Sequence, residues 1–549
     1  MGWPAPLQRR ASSFGRPRIH LKIIYFFCKR NNHKNKLDTV GGYPMSASPA
    51  SANKASVPLS NLTLASVGGS VRTPSYDRAK VSPGIVHIGV GNFFRAHEAL
   101  YVEKCLELGG NDSWGIIGVG LGDGPDKRAK VDAVNSQNGL YTLTEFSPDG
   151  STSIRVIGAM LEFLHAPASP EQVLSRLADQ NTKIVSLTIT EGGYNLDEAT
   201  KEFILSESGV QHDLANPKSP RTAFGFIVEA LAMRHAEGIG GFTVLSCDNL
   251  RSNGKVARTA VVAFARARDP ELAEWIEANV SFPNSMVDRI APSVGQAEVA
   301  KVNALSGIDD RTPVIGEVFS QWVVEDHFIA GRPSFEKVGV EIRDDVENFE
   351  AMKGRLLNAS HMMLSYPALM CGFRIVDEAL RERAIVEYLL AFLEKDVIPI
   401  VEGPTGVSLD EYKRNIIARF QNPAIGDQLL RIANSGAAKL PIFLSKTLGE
   451  LLSRGGSFER VALCLASFDQ YLKGVDLKGG ALAVDEPHLT ESDKALLSSD
   501  DPHAVLKLSP FETLRLWDND KFVSVFNRCA TQLKAEGAVA ALTQAAQAA

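Results

Sequence analysis

A short apolar run that ends in two glycines restricts the folds available to this chain. Residues 85–89 are rich in β-branched side chains, as buried parallel strands are, and Gly91 follows two positions later. Glycines in this position let the backbone turn tightly and approach a pyrophosphate, which then rests on a helix N-terminus. The complete fingerprint has a third glycine, where this chain has Phe94. We interpret the segment as a dinucleotide-binding turn, with an ordinary strand-to-helix turn as the alternative.

Similar apolar runs follow along the first half of the chain and alternate with helical patterns. Further strands are predicted at residues 115–119, 184–189 and 242–246, and helices at residues 222–236 and 255–267. Strands that alternate with helices are typical of a parallel sheet covered on both faces. The sequence therefore predicts an α/β fold whose N-terminal domain, residues 61–343, is a doubly wound Rossmann-type domain.

Helical patterns replace the strand patterns after about residue 345. They occupy residues 346–366, 379–394, 409–420 and 458–473. We therefore expect a mostly α-helical C-terminal domain over residues 344–549. Its alanine-rich end, from residue 535 onward, is predicted to be a surface helix that frays.

Composition excludes several classes of function. The net charge of -6 gives no reason to expect a nucleic-acid partner, and no apolar run is long enough to span a bilayer. The six cysteines form no Cys-x-x-Cys pair and no cluster with histidine, so neither a structural zinc site nor a disulfide framework is expected. We expect a soluble protein of a reducing compartment, the cytoplasm.

The first sixty residues differ from the rest. Nine lysines and arginines precede the first acidic residue, Asp38, and residues 46–60 are rich in serine, alanine and proline. The basic stretch has two interpretations, a mitochondrial transit peptide or an upstream extension with Met45 as the working start. In either case we expect residues 1–60 to be a disordered leader and linker.

Four polar side chains fall on one side of the helix predicted from residue 346. At ~100° per residue, a wedge of about 140° contains Lys353, Glu350, His361 and Asn358. A desolvated lysine can accept the proton of an alcohol, and an asparagine amide can stabilise the alkoxide that develops. A solvated polar face of a surface helix is the alternative interpretation.

An acid after the second strand of a Rossmann fold usually binds the adenosine ribose. Asp123 and Asp126 are the candidates, and either would repel a 2′-phosphate, which favours NAD over NADP. Three nearby basic residues, Lys127, Arg128 and Lys130, could have the opposite effect.

Taken together, five separated motifs resemble the mannitol dehydrogenase family of long-chain polyol dehydrogenases over roughly residues 60–530. In chain order they are Gly89-x-Gly91-x-Phe93-x-Arg95-Ala-His97, Thr190-Glu191-Gly-Gly-Tyr194, Ser246-Cys-Asp-Asn249, Phe282-Pro-Asn-x-Met-Val287-Asp288-Arg, and Lys353-x4-Asn358-x2-His361.

The resemblance implies a role for each residue of the active site. Lys353 is the implied general base, Asn249 and Asn358 the implied oxyanion hole, and His361 holds the substrate. By the same resemblance, Glu350 is expected to gate proton exchange with solvent. The resemblance also implies that substrate hydroxyls are held by Val287, Asp288, Arg431 and Lys439.

The resemblance also implies a set of cofactor-binding residues. They are Gly89, Gly91, Phe93, Arg95, Asp126 and Glu191. The chain departs from the family beside Asp126, where one residue is inserted and Pro125 replaces a second acid that is often present.

The implied activity is the NAD-dependent, metal-independent interconversion of D-mannitol and D-fructose by a monomer. Two alternatives stay open. A hexuronate reductase would use Arg431 and Lys439 to bind a carboxylate. A non-catalytic NAD-binding sensor would share the fold but would have no reason to keep the lysine, both asparagines and the histidine.

Overall fold

The computed structural model describes residues 56–197 and 200–548. Ala55–Ala549 group into one compact unit. The basic leader predicted at residues 1–45 lies outside the described residues. None of the described helices has the length and apolar composition needed to cross a bilayer.

All of the named strands lie before residue 343. They are β1 (Val57–Pro58), β2 (Pro83–Ile88), β3 (Gly115–Gly120), β4 (Tyr141–Phe146), β5 (Thr152–Ile157), β6 (Met160–His165), β7 (Ile184–Leu187), β8 (Thr243–Ser246), β9 (Ser285–Asp288), β10 (Ile308–Asp309), β11 (Val314–Glu317), β12 (Gln321–Val324) and β13 (Glu341–Ile342).

The same part of the chain contains nine α-helices and four 3₁₀ turns among the described residues. The helices are α1 (Asn92–Ala96), α2 (Glu98–Glu107), α3 (Pro125–Ser136), α4 (Pro170–Ala178), α5 (Ser208–Ala215), α6 (Ala223–Ala236), α7 (Asn253–Arg268), α8 (Pro270–Asn279) and α9 (Gln296–Ser306). The 3₁₀ turns are Leu64–Ser66, Arg78–Lys80, Glu191–Tyr194 and Phe335–Val338.

The central sheet has five parallel strands in the order β6-β3-β2-β7-β8. The chain moves outward from β2 through β3 to β6, then returns to the other side of β2 for β7 and β8. The strand order therefore switches from one side of β2 to the other between β2 and β7. In such sheets, ligands bind at the carboxyl ends of the strands that flank this switch point. This order confirms the predicted doubly wound Rossmann-type domain.

Besides the two-stranded sheet of β1 and β10, two three-stranded sheets complete the N-terminal domain, and sequence patterns did not predict their strands. One has the order β11-β4-β5 and the other the order β13-β12-β9, with β9 antiparallel to β12. Each of these strands has two to six residues. They matter because β9 and β11 end in acidic residues of the candidate site.

The C-terminal domain is helical, as predicted. Its α-helices are α10 (Val346–Met352), α11 (Ala359–Cys371), α12 (Val376–Ala379), α13 (Arg383–Ala391), α14 (Leu409–Phe420), α15 (Leu429–Ala433), α16 (Gly436–Arg454), α17 (Glu459–Tyr471), α18 (Glu491–Leu497), α19 (Asp520–Ala535) and α20 (Ala538–Gln547). Its π-helical segments are Lys353–Asn358 and Phe392–Val397, and its 3₁₀ turns are Ile398–Ile400, Ala504–Lys507, Ser509–Leu514 and Leu516–Asp518. The almost fully buried α11 packs against α13, α15, α16 and α17 at the centre of one apolar core.

Two predictions at the ends of the fold were wrong. The alanine-rich C-terminal helix α20 does not fray at the surface, because it packs on α13 and buries Leu542 and three alanines. Alanine side chains are small and let the two helix backbones approach closely. The prediction was wrong because it took an alanine-rich composition as a sign of a surface helix. At the other end, the predicted linker extends too far, because β1 pairs with β10 and Leu59 is buried in a small core.

Candidate active site

The two glycines after β2 form a cradle at the carboxyl end of the central sheet. Gly89 has φ +105°, and a Cβ there would lie 2.1 Å from the carbonyl oxygen of Thr188, so only glycine fits. Gly91 precedes α1, and the nearest atom to a Cβ at that position would be 3.8 Å away. The tight turn at Gly89 and the open space beside Gly91 would let a pyrophosphate come close to the backbone.

Two other predicted cofactor residues follow this cradle in α1. Arg95 is buried and donates to the carbonyl of Thr312 at 2.6 Å and to Asn92 Oδ1 at 2.8 Å. The half-buried Phe93 stacks on His97 with 4.9 Å between ring centroids. The structure thus gives both side chains protein partners, and their contact with a cofactor stays a prediction.

The acid predicted to select the coenzyme lies in the first turn of α3. Asp126 is exposed, and a hydrogen bond from Lys127, whose Nζ is 3.0 Å away, holds the pKa of Asp126 below its usual value. Lys130 instead reaches back to the cradle and donates to the carbonyl of Val90 at 2.8 Å. Burial lowers the pKa of Lys130 to about 8.

The amine of Lys353 is the centre of the site. Only 8% of the residue is exposed. Its Nζ donates to Asn249 Oδ1 at 2.8 Å and to the carbonyl oxygen of Val287 at 2.7 Å. Burial lowers the pKa of Lys353 below its usual value, and the negative charge of Asp288 opposes this shift.

Lys353 and Asn358 stand at the two ends of a π-helical segment, which the sequence analysis did not foresee. In the α-helix assumed there, the two residues lie 140° apart, whereas the wider turn of i→i+5 hydrogen bonding brings them closer together around the axis. Local π-helical turns are frequent at functional sites. Asn358 is half-buried, and its amide has no hydrogen-bond partner among the described residues.

Glu350 connects the helical domain to the loop that carries Asn249. Both of its carboxylate oxygens accept from the backbone N–H of Ser252, at 3.1 and 3.0 Å. Burial raises the pKa of Glu350 to about 7. A carboxyl group that titrates near neutral pH is suited to proton exchange.

Asp288 ends β9 and is bound by an arginine that the sequence analysis missed. Arg419, at the end of α14, donates to both oxygens of Asp288 at 2.7 and 3.0 Å and to both oxygens of Glu317 at 3.0 and 2.8 Å. All three side chains are buried. Burial would raise the pKa of Asp288, but the charges of Arg419 and Lys353 outweigh it and hold that pKa below its usual value.

A signal for Arg419 was present in the sequence. Tyr412, Ile416 and Phe420 form the apolar stripe of a predicted helix, and Arg419 lies within that stripe, seven residues after Tyr412. A cation on a buried face requires acidic partners, since an unpaired buried charge is very costly.

His361 and the two later cations form a second group. His361 stacks on Phe420 with 4.4 Å between centroids, and burial lowers its pKa to about 4. Arg431 forms a bidentate pair with Asp427 at 2.8 and 2.6 Å. Lys439 donates to the carbonyl of Asn434 at 2.6 Å, and burial lowers its pKa. The charge of Arg431 also lowers the pKa of both His361 and Lys439, so this group shares one environment.

Glu191 lies at the start of a 3₁₀ turn beyond β7, where its side chain is exposed. Burial lowers the pKa of both Lys353 and Lys439, and the negative charge of Glu191 opposes this lowering in each. Glu191 therefore lies near enough to act electrostatically on the predicted base, whereas Asp126 lies in the first turn of α3.

Metal ligands do not gather in this cleft. Throughout residues 56–197 and 200–548, no group of three or more His, Cys, Asp or Glu side chains is placed to hold an ion. The predicted independence from metal stays a prediction.

Two family models match this chain. One is described as the mannitol dehydrogenase Rossmann domain and matches residues 83–337. The other is described as the mannitol dehydrogenase C-terminal domain and matches residues 345–534.

Individual proteins are similar over most of their length. A polyol:NADP oxidoreductase of Gluconobacter oxydans (strain 621H) is 46% identical over 84% of this chain and 94% of its own. A solved D-sorbitol dehydrogenase in substrate-free form is 44% identical with a TM-score of 0.81, covering 88% of this chain and 100% of that one. Mannitol 2-dehydrogenase of Pseudomonas fluorescens, solved with NAD and D-mannitol, is 40% identical with a TM-score of 0.80, covering 89% of this chain and 99% of that one.

Proposed function

This chain belongs to the mannitol dehydrogenase family, and from that premise we propose that it is an NAD-dependent polyol dehydrogenase that interconverts D-mannitol and D-fructose. The observation that carries the proposal is the buried amine of Lys353, held between Asn249 Oδ1 and the carbonyl of Val287. The similar mannitol 2-dehydrogenase, solved with NAD and D-mannitol, supports both the substrate and the coenzyme.

The cradle after β2 fits a dinucleotide, because a Cβ at Gly89 would collide with Thr188 while the space beside Gly91 is open. Gly89 and Gly91 would face the pyrophosphate, Asp126 the adenosine ribose, and Glu191 the end of the cofactor nearest Lys353. NAD, when bound, supplies the hydride acceptor.

Lys353 accepts the proton of the C2 hydroxyl at Nζ. A neutral amine has two N–H bonds and one lone pair, and the two oxygens that Nζ contacts take both N–H bonds. The lone pair then points away from Asn249 and Val287, toward the substrate. Burial favours this neutral form.

Glu350 passes the proton on toward solvent, because its pKa of about 7 lets it gain and lose a proton near neutral pH. Asp288 stays ionised beside Arg419 and accepts from substrate hydroxyls. His361, largely neutral at neutral pH, orients the substrate from the other side.

Asn249 and Asn358 are proposed to stabilise the developing alkoxide. Because Asn249 Oδ1 accepts from Lys353, its Nδ2 forms the other end of the same amide and is free to donate within the described residues. Asn249→Ala and Asn358→Ala should each lower kcat by about 10²–10³-fold and change KM far less. Since both amides serve one oxygen, steady-state kinetics of the double variant should depart from additivity. If each variant raised KM by the same factor by which it lowered kcat, the oxyanion hole would be removed from the mechanism.

The cations at the substrate end argue against a hexuronate reductase. Arg431 is already paired with Asp427, so its charge is compensated before a carboxylate binds. Burial lowers the pKa of Lys439, which disfavours the charged form that would bind a carboxylate. Rates with mannitol, sorbitol, arabinitol and fructuronate, each with NAD and NADP, test the proposal. Mannitol should be oxidised and fructuronate should not be reduced.

A sensor that binds NAD without turnover is tested in the same preparation. Single-turnover reduction of NAD by mannitol should produce one equivalent of NADH per site. Binding of NAD without any NADH would favour the sensor.

NAD should be preferred over NADP, although one relative is named for NADP. Asp126 would lie beside a 2′-phosphate, and like charges at an exposed site should disfavour NADP by roughly tenfold. Asp126→Ala should relax this preference in a comparison of kcat/KM for the two coenzymes. A wild-type preference for NADP would mean that Lys127 or Arg128 binds the phosphate instead.

Chelators should leave the activity unchanged. The expectation rests on the scatter of cysteine and histidine along the sequence and on the proposed lysine base. The measurement is the initial rate after dialysis against EDTA or a tighter zinc chelator. Loss of activity that zinc restores would contradict it. We also propose a cytoplasmic location, which the five free cysteines among the described residues favour. The monomeric state stays a prediction.

A further inference from the structure

Two loops of the candidate site leave neighbouring strands of the central sheet. Strands β7 and β8 are parallel, with Leu187 opposite Ser246 at their carboxyl ends. The chain after β7 reaches Thr190 and Glu191, and the chain after β8 reaches Asp248 and Asn249. The hydrogen bonds between β7 and β8 end before both loops begin. Other contacts must therefore fix the two loops relative to each other.

Asp248 provides that connection. Its Oδ2 accepts from the N–H of Ile189 at 2.9 Å and its Oδ1 from the N–H of Thr190 at 2.9 Å. The hydroxyl of Tyr194 donates to Oδ2 at 2.8 Å and lies 2.5 Å from Ser246 Oγ. Only 8% of Asp248 is exposed, so water competes little for these bonds.

The backbone that Asp248 holds has an unusual conformation. Thr190 has φ +63° and ψ 167°, a region that glycine occupies and that a β-branched residue normally avoids. Two consecutive N–H groups bound by one carboxylate offset this strain. Without the carboxylate, we expect the turn to relax and Glu191, the next residue, to move.

We propose that Asp248 is a positioning residue that holds Glu191 and Asn249 in the geometry that the reaction needs. It acts through its neighbours: Asn249 contacts Lys353, and the charge of Glu191 reaches the same lysine. The carboxylate of Asp248 accepts all of its hydrogen bonds from protein groups, so it is not assigned a contact with substrate. This inference rests on the proposed function.

Asp248→Asn is the direct test. The amide NH₂ cannot accept, so at least one buried N–H of the Thr190 turn loses its partner. Displacement of catalytic groups by about 1 Å typically costs roughly 10²-fold, and we expect a loss of that size in kcat/KM for polyol oxidation. Wild-type turnover measured alongside tests the proposed function, and the ratio of variant to wild type tests Asp248.

The chain offers a matched control in Asp213. This buried carboxylate also accepts from two consecutive backbone N–H groups, those of Arg221 and Thr222, each at 2.8 Å, and from the Thr222 hydroxyl at 2.7 Å. Asp213→Asn removes the same kind of bonds at α5, outside the candidate site. It should lower Tm as Asp248→Asn does and leave kcat/KM close to wild type. Equal losses of activity in the two variants would overturn the proposal.

Two double variants separate positioning from general stability. Thr190→Gly in the Asp248→Asn background should recover roughly tenfold in kcat/KM, because glycine adopts the required φ without a carboxylate. Glu191→Gln should lower kcat/KM by a smaller factor in the Asp248→Asn background than in wild type. In that background the side chain of Glu191 is already displaced and contributes little to the reaction. The proposal would be overturned if Thr190→Gly recovered no kcat/KM and the losses of Glu191→Gln and Asp248→Asn were additive.

Tyr194→Phe replaces Asp248→Asn if that variant does not fold. It removes one of the three donors to the Asp248 carboxylate, and its kcat/KM should also fall. An unchanged kcat/KM would count against the proposal.

Discussion

Lys353→Ala should lower kcat for polyol oxidation by about 10²–10⁴-fold, with NAD affinity nearly unchanged. Alanine removes the amine that Asn249 and Val287 hold, and no second amine among the described residues contacts those two oxygens. The measurements are steady-state rates and the Kd of NAD by calorimetry. An unchanged kcat would remove Lys353 from the mechanism.

Lys255 supplies the control for this experiment. Its amine is exposed on α7 and pairs with Glu347, a surface interaction that contributes little. Lys255→Ala should therefore keep the wild-type kcat, which would show that the loss in Lys353→Ala does not come from removing any lysine.

The pH profile gives an independent test of the same assignment. Polyol oxidation needs neutral Lys353, so kcat/KM should rise as pH increases through the pKa of this residue. Burial places that pKa below 10.5, the ordinary value, and so moves the rise toward lower pH. Ketose reduction needs the protonated amine, and its rate should fall over the same pH range. Parallel profiles for the two directions would contradict a lysine base.

Arg419→Met should lower the free energy of unfolding by about 3–5 kcal/mol, the usual cost of leaving a buried charge without its partner. The guanidinium binds both oxygens of Asp288 and of Glu317, and all three side chains are buried. Without it, two neighbouring carboxylates would have to take up protons or separate. Chemical denaturation monitored by fluorescence measures the change, and a difference below about 1 kcal/mol would contradict it.

The same variant should also affect substrate binding. Asp288 would no longer be ionised and fixed at the end of β9, so KM for the polyol should rise. Arg460→Met is the matched control, since Arg460 forms a buried bidentate pair with Asp396 at 2.6 and 2.7 Å, outside the site. We expect it to destabilise the protein comparably while KM stays near wild type. A similar rise in KM in both variants would show that the effect of Arg419 is only structural.

The sequence by itself determined the fold class, and it predicted the reactive residue that we propose. The Gly89-x-Gly91 turn and the β-branched runs are local patterns, so the Rossmann-type domain could be read from short windows. Lys353, Asn358 and His361 lie within nine residues, and their spacing on one helix pointed to chemistry before any fold was known. The family resemblance added Asn249, Val287 and Asp288, which no periodicity joins to Lys353.

Only the tertiary structure decided how the site is held together. Asn249 and Lys353 are 104 positions apart, Asp288 and Arg419 are 131 apart, and Asp248 binds a turn 58 and 59 positions before it. Such contacts depend on which strands become neighbours and which helix packs beside them, and no local pattern encodes them. Burial decided the rest, because the same lysine or glutamate titrates near its ordinary pKa in water and far from it inside a protein. The π-helical turn at Lys353 likewise follows from packing, since isolated residues of this kind favour an ordinary α-helix.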